Sequence, residues 1–275
     1  MSGRTVFIGA GFMGGGLLLG ALEEGVLSAE RVFVVEHSEA RASELASRFD
    51  VAVGTEMPEL IESDTVILAV KPQALPEVLP QLRDFSGAVI SIAAGISVET
   101  LRSSVPGARL YRAMPNLPAT IGAGFTALVM PEEADTETDE HVRSIFDAVG
   151  ETAVVSEADL DRLCALSGSG PGFVFVIMDA LADAGVRIGL PRALAIRAAA
   201  HTIFGAGRMA AETGVHPAVL RDGVTSPGGT TIAGIDALEA HGLRSAMYAG
   251  VKAAYERNEE IAKGTGFREM NRSEG

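Results

Sequence analysis

The feature that most constrains this chain is a set of three spaced glycines in Gly9-Ala10-Gly11-Phe12-Met13-Gly14. They come directly after the apolar stretch Val6-Phe7-Ile8 and open the helical pattern Met13–Leu22. A lone G-x-G-x-x-G is a weak signal; strand, turn and helix in this order strengthen it. The first glycine permits a tight turn, the second lets backbone approach a pyrophosphate, and the third lets the helix pack closely on the strand. The N–H groups at the helix start can then receive the anion. Gly9, Ala10, Gly11, Phe12, Met13 and Gly14 are therefore candidate dinucleotide-binding positions, the alternative being a tight turn with no ligand.

Further strand patterns at Val32–Glu36, Val51–Val53, Thr65–Val70, Ala88–Ala93, Arg109–Ala113 and Phe125–Met130 follow the first at Thr5–Gly9. Amphipathic helical patterns lie between them at Glu39–Arg48, Leu75–Leu82 and Thr136–Val149. This alternation predicts a parallel, doubly wound sheet, and strands apolar throughout fit a sheet covered on both faces. After about residue 156 the strand signals nearly vanish. Helical runs take over at Asp159–Leu166, Gly172–Ile188, Pro191–Thr213, Pro217–Gly223, Thr230–Gly242 and Leu243–Lys263. Pro191 and Pro217 mark helix starts, while Gly189, Gly214 and Gly242 mark ends. The fold class is α/β followed by all-α: a Rossmann-type parallel-sheet domain over residues 1–157 and a helical domain over 158–275. The polar tail Gly264–Gly275 is expected to fray.

Composition narrows the class. Hydrophobic residues make up 47% and aromatics 5%, with no Trp, so the interior must be built from Ala, Val, Leu and Ile. Ala-rich helices such as Ala193–Ala211 offer little bulk for a core of their own, which predicts a dimer formed through the helical domain. A net charge of −14 repels a polyanion, so nucleic acid is not an expected partner. The single cysteine, Cys164, has no internal disulfide partner and reads as a small buried hydrophobe rather than a reactive thiol. No zinc-ligand spacing occurs, so no metal site is expected. The N-terminus runs straight into a strand pattern without a secretory signal. The longest apolar stretch, Phe173–Val186, is interrupted by Asp179 and Asp183, so a cytoplasmic enzyme without a membrane span is expected.

Glu36 ends the second strand pattern roughly 20 residues after Gly14, where an acid can bind the adenosine ribose hydroxyls. A carboxylate there favours NAD over NADP, although His37, Ser38 and Arg41 could receive a phosphate if Glu36 turns aside. Ala69-Val70-Lys71-Pro72 closes another strand on the ligand-binding edge, and Lys71 is either functional or merely solvent-facing. Ser91-Ile92-Ala93-Ala94-Gly95 ends the next strand, its small residues leaving room for a nicotinamide ring. Two Gly/Ser-rich segments, Leu166–Pro171 and Ser226–Thr231, each precede a helix. Free N–H groups there, with hydroxyls beside them, suit a small carboxylate, or simply cap the helices.

Taken together, these segments resemble the pyrroline-5-carboxylate reductase family over essentially the whole length. The resemblance lies in Ile8–Gly14, Ala69–Pro72, Arg112-Ala113-Met114-Pro115-Asn116-Leu117-Pro118, Leu166–Pro171, His216-Pro217 and, most tellingly, Asp222–Thr231. It implies reduction of 1-pyrroline-5-carboxylate to L-proline by NADPH or NADH, the last step of proline biosynthesis. It also implies a helical dimerisation domain, an active site partly supplied by a second subunit, and further assembly of dimers into rings. By the same resemblance, Ser226, Gly228, Gly229 and Thr230 hold the substrate carboxylate, and the Thr231 hydroxyl lies near the imine nitrogen. Ser226 and Thr231 are thus its candidate catalytic residues. Ser167, Gly168 and Ser169 shape the pocket wall, while Asn116 and Lys71 border the nicotinamide. Many members carry Thr, Ser or Asn where this chain has Glu36.

Protonation makes a cyclic imine a strong hydride acceptor, so positioning and a mild proton contact suffice and no His–Asp pair is required. Two other classes remain. A β-hydroxyacid dehydrogenase also begins with such a glycine pattern but needs a catalytic lysine early in its helical domain, and this chain has none between Lys71 and Lys252. A non-catalytic dinucleotide sensor would have no use for Ser226–Thr231.

Overall fold

Thr5–Ile8 is buried at every position and forms β1, an interior strand of an eight-stranded sheet. The computed structural model describes residues 3–133 and 135–262. β2 (Val32–Val35) pairs on one side of β1 and β4 (Thr65–Leu68) on the other, both parallel to it. β3 (Ala52–Gly54), β5 (Ala88–Ser91), β6 (Arg109–Pro115), β7 (Gly124–Val129) and β8 (Gly150–Val154) complete the order β3-β2-β1-β4-β5-β6-β7-β8. The Rossmann-type sheet predicted from the strand–helix alternation is thus present.

Helices cover both faces. On one, α1 (Phe12–Glu23), α2 (Glu39–Phe49) and α5 (Thr136–Asp147) press Leu17, Leu18, Leu45, Ile145 and Phe146 against Phe7, Val34 and Ile67. On the other, α3 (Leu75–Val78) and α4 (Val98–Ser104) contribute Leu75 and Leu101 to a second core around Val6, Val66 and Val89. Alternate residues of one strand therefore feed opposite cores, as the two-residue side-chain period requires.

Several local expectations need correcting. β7 runs antiparallel to β6, because only a short 3₁₀ connection at Leu117–Ile121 joins them and a parallel crossover needs a dozen or more residues. β8 escaped the strand pattern: Gly150–Val154 buries only Thr152 fully, so its apolar signal is weak. The helix expected over Leu75–Leu82 is α-helical only to Val78; Pro80 follows, and Leu79–Leu82 is a 3₁₀ turn.

The chain divides into two compact units, one running to Ser169 and resuming at Ala254, the other spanning Gly170–Ala253. This differs from a cut after residue 157. The reason is that α6 (Glu157–Leu163) is tied to the sheet: Arg112 of β6 donates to Glu157 Oε1 (2.6 Å) and Asp161 Oδ1 (3.1 Å), and Leu160 packs with Ala127 and Val129.

The second unit holds α7 (Gly170–Arg187), α8 (Arg192–Thr213), α9 (Pro217–Gly223), α10 (Thr230–Ala240) and the start of α11 (Leu243–Ala262). Its buried hydrophobic residues are Ala182, Ala195 and Ala199, where α7 meets α8. Phe175, Val176, Ile188, Phe204, Met209 and Tyr248 are exposed, Ile188 at 82%. The sequence suggested that Asp179 and Asp183 break the apolar stretch. The continuous helical run Glu157–Arg187 is nevertheless long and apolar enough to cross a membrane by length and composition. The tail Gly264–Gly275, and Lys263 at the expected end of α11, lie outside the described residues.

Candidate active site

The order of the sheet reverses between β1 and β4, and ligands of open α/β sheets bind outside the carboxyl ends of the strands at such a switch point. The glycine turn lies there. Gly9 has φ +83°, a conformation that costs other residues strain, and a Cβ on it would come within 2.8 Å of Val70. A Cβ on Gly14 would fall 2.7 Å from Ala69 Cβ and 2.9 Å from Gly9 O, so only glycine lets α1 sit this close to the β4 edge. Gly11 is the opposite case: a Cβ there meets no heavy atom within 4 Å. The three positions thus divide into turn, open approach and tight packing.

The first bond inside α1 runs from Gly15 N to Gly11 O, leaving the N–H groups of Phe12, Met13 and Gly14 available to an anion. No acid stands in the first turn of α1 and no side chain caps it. A pyrophosphate fits this cradle by charge, donor direction and space. Ala10 is buried beneath the turn, and Phe12 is exposed beside it.

Glu36 lies one residue beyond β2 and is buried, its backbone N–H donating to Gly54 O (2.9 Å). Its carboxylate stands 2.7 Å from His37 Nδ1, so it is not a solvated surface acid. Arg41 pairs with Glu44 (2.6 Å) and reaches Ala10 O (3.4 Å), and Ser38 caps α2 by accepting from Arg41 N (3.4 Å). The adjacent cation and hydroxyl are therefore already engaged locally.

Ala69 and Val70 follow β4 half-buried, Lys71 is exposed, and Pro72 opens a 3₁₀ turn. Beyond β5, the buried hydroxyl of Ser91 accepts from Ala93 N (3.3 Å), which shapes the turn into Ala94 and Gly95. Asn116 follows β6 and uses its Oδ1 to accept from Phe125 N (2.9 Å), so its side chain also fixes the β6–β7 connection. All of these cofactor candidates belong to the sheet unit and lie at the carboxyl ends of its parallel strands.

The segment Leu166–Pro171 departs from expectation. It is not a loop presenting free N–H groups: Cys164–Gly168 forms a π turn joining α6 to α7, and Ser169 N donates to Cys164 O (3.0 Å). Ser167 Oγ donates back to Leu163 O (2.9 Å). Gly168 faces the carboxyl end of β6, where a Cβ would lie 3.5 Å from Met114 Cε. A π turn inside an α-helix is rare and often sits at a functional site. Burial, and next the nearby Asp161 carboxylate, push the Cys164 thiol pKa up, so it stays protonated and inert at neutral pH.

In the helical unit, Ser226–Thr231 leads into α10. Ser226, Pro227 and Gly228 (φ +67°) turn the chain, closed by Gly229 N donating to Ser226 O (3.0 Å). Proline followed by a positive-φ glycine is the signature of a type II turn. Gly229 is the N-cap of α10 without a side-chain bond, no acid lies in the first turn, and Thr230 and Thr231 are exposed. His216 caps α9, its Nδ1 accepting from Ala218 N (3.2 Å). Among the described residues, no three His, Cys, Asp or Glu side chains gather to hold a metal ion.

The glycine geometry yields a paired test. Gly11→Ala should fold with unchanged thermal stability yet raise the dinucleotide Kd about tenfold or more, because its methyl occupies the ligand's approach. Gly14→Ala should lower the melting temperature as well, since α1 must shift off Ala69. Thermal unfolding and dinucleotide titration of both variants distinguish these effects; equal stability losses would refute the division.

Residues 157–261 match the family of pyrroline-5-carboxylate reductase dimerisation domains, and residues 4–95 match a family described as NADP oxidoreductase, coenzyme F420-dependent. A pyrroline-5-carboxylate reductase of Synechocystis sp. is 41% identical over 96% of this chain and 100% of its own length. The structure of a pyrroline-5-carboxylate reductase from Coxiella burnetii superposes with a TM-score of 0.87 at 33% identity, covering 95% of this chain and 99% of that one. A Plasmodium falciparum pyrroline carboxylate reductase with NADP bound superposes at 0.83 with 26% identity, over 95% and 98% of the two chains. The dimerisation match explains the apolar helical unit: the chain self-associates and acts on a small molecule. With relatives matched end to end on both halves, this chain belongs to the pyrroline-5-carboxylate reductase family.

Proposed function

We infer that this chain reduces 1-pyrroline-5-carboxylate to L-proline with NADH or NADPH. The observation that carries the reading is the pairing, in one chain, of the open Gly11 approach with the uncapped, acid-free start of α10. Full-length similarity to reductases of that name supports it. When bound, the nicotinamide supplies the hydride that reduces the imine carbon.

The chain's own residues hold and orient. The N–H groups at the start of α1 take the pyrophosphate, with Gly9, Ala10 and Gly11 as its floor. Ala69, Val70, Lys71, Pro72, Ala93, Ala94 and Asn116 border the rest of the dinucleotide. Ser226, Gly228 and Thr230 receive the substrate carboxylate through backbone N–H groups and hydroxyls, and Gly229, whose own N–H closes the turn onto Ser226 O, keeps the loop free of a side chain. Thr231 Oγ1 orients the imine nitrogen, which carries the proton that becomes the amine N–H. Ser167, Gly168 and Ser169 form a wall of the pocket. Such positioning accounts for much of the rate, and a protonated imine needs no strong acid.

Glu36 favours NAD. A buried carboxylate at the β2 end suits ribose hydroxyls and repels a 2′-phosphate, while Arg41 is already paired with Glu44. We assign dinucleotide binding to residues 1–157 and self-association with carboxylate binding to the segment from 158 onward. The exposed Phe175, Val176, Phe204 and Met209 support a dimer formed through the helical unit, and assembly of such dimers into a ring would require additional surfaces. The same association would cover α7, whose Asp183 pairs with Arg192, which leaves that helix no membrane role, and we propose a cytoplasmic enzyme. The net charge of −14 supports a small-molecule partner and no nucleic acid.

Steady-state kinetics with pyrroline-5-carboxylate and each dinucleotide test the reaction; absence of turnover with both would refute it. Thr231→Ala is expected to lower kcat roughly 100-fold with dinucleotide affinity nearly unchanged. Loss of dinucleotide binding instead would remove Thr231 from the substrate side. Glu36→Ser is expected to move the ratio of kcat/KM values toward NADPH by about tenfold, as relief of like-charge repulsion requires. Unchanged selectivity would reduce Glu36 to a structural acid.

A further inference from the structure

We propose that Asn258 is a positioning residue that fixes the register of the π turn and so the placement of Ser167, Gly168 and Ser169. The proposal rests on the reading of those residues as a pocket wall. From Ala254 onward the chain belongs to the sheet unit, and Asn258 is the buried residue of α11, at 7% exposure. A buried amide is costly unless both its ends find partners. Asn258 Oδ1 accepts from Cys164 Sγ (3.5 Å), and its Nδ2 donates to Asp161 O (3.3 Å). Cys164 is the first residue of the π turn, and Asp161 lies in the helical turn before it. One amide thus grips the backbone just before the π turn and the side chain that begins it.

The grip is anchored in the sheet. Asp161 Oδ1 accepts from the buried Arg112 (3.1 Å), whose other branch reaches Glu157 Oε1 (2.6 Å). Glu157 Oε1 also accepts from Val98 N at the start of α4 (2.8 Å). One helical turn beyond Asn258, Ile261 packs on Gly95 (φ +74°), where a Cβ would come within 2.9 Å of Ile261 Cγ2. The same short segment therefore braces the π turn and the loop after β5 that the cofactor reading uses.

π hydrogen bonding has no intrinsic advantage over α, so surrounding contacts must hold it. Reversion to α geometry shifts the register by one residue, which turns the following side chains by about 100°. Ser167–Ser169 would then face elsewhere, while the glycine turn beside α1 would be untouched. Loss of the Asn258 bonds should accordingly weaken handling of the imine and spare dinucleotide binding.

The test uses full-length, associated enzyme. Asn258→Leu keeps the branched outline, at a somewhat larger volume, and removes both hydrogen bonds; kcat/KM for pyrroline-5-carboxylate should fall about tenfold or more, with dinucleotide Kd within about twofold. Cys164→Ala should show a smaller loss of the same kind, and Cys164→Ser, whose hydroxyl still donates to Asn258 Oδ1, should restore it. A folded Asn258→Leu enzyme with wild-type kcat/KM, or equal losses in substrate and dinucleotide binding, would overturn the proposal. If Asn258→Leu does not fold, the Cys164 pair decides: wild-type kinetics in Cys164→Ala, or no rescue by Cys164→Ser, overturns it. Absence of turnover in the wild-type enzyme, measured in the same assay, would instead overturn the assigned reaction and the proposal with it.

Discussion

The closeness of α1 to the β1–β4 edge is the constraint on which the rest of the sheet unit depends. It exists because position 14 has no side chain; the space a methyl would need is filled by Ala69 Cβ and Gly9 O. With α1 seated there, Leu17 and Leu18 are fully buried in the core that also receives α2 and α5. The same seating points the first N–H groups of α1 at the carboxyl edge, so one packing contact serves stability and, on the proposed reading, anion binding.

The proposed anion binding at this edge runs against the charge of the whole molecule. A chain of net charge −14 repels a dinucleotide at long range, so attraction must be local. The start of α1 carries no acid, Arg41 reaches the carbonyl of Ala10, and Lys71 is exposed beyond β4. Screening shortens the reach of the overall charge to about 8–10 Å at ordinary ionic strength, while a helix terminus acts at hydrogen-bond distance.

Element order was legible in the sequence because burial on two faces leaves continuous apolar strands and burial on one leaves a helical period. Direction and edges were not. β7 reads like its parallel neighbours, since strand sense is decided by the length of the connection after Asn116. β8 is an edge strand whose exposed Glu151 and Val154 hide its pattern. The glycine turn was legible because close approach and positive φ leave little choice of residue. The π turn was misread, since Ser-Gly-Ser-Gly ordinarily marks a loop and only tertiary support makes it helical. Asn258 left no signal at all: a polar residue on a helix looks solvent-facing until its distant partners Asp161 and Cys164 are known. Arg112 stands in a segment that resembles the family, yet its pairing with two α6 acids could not be read from that segment alone.

The helical unit, whose buried hydrophobic residues are three alanines, has a thermodynamic consequence. On the proposed dimer, this unit covers Phe175, Phe204 and Met209 only by meeting another copy, so much of its apolar burial comes with association. Its free energy of folding contains a bimolecular term, and its melting temperature rises with protein concentration by mass action. Dilution therefore acts on this enzyme as a mild denaturant, directed first at the half that carries Ser226–Thr231.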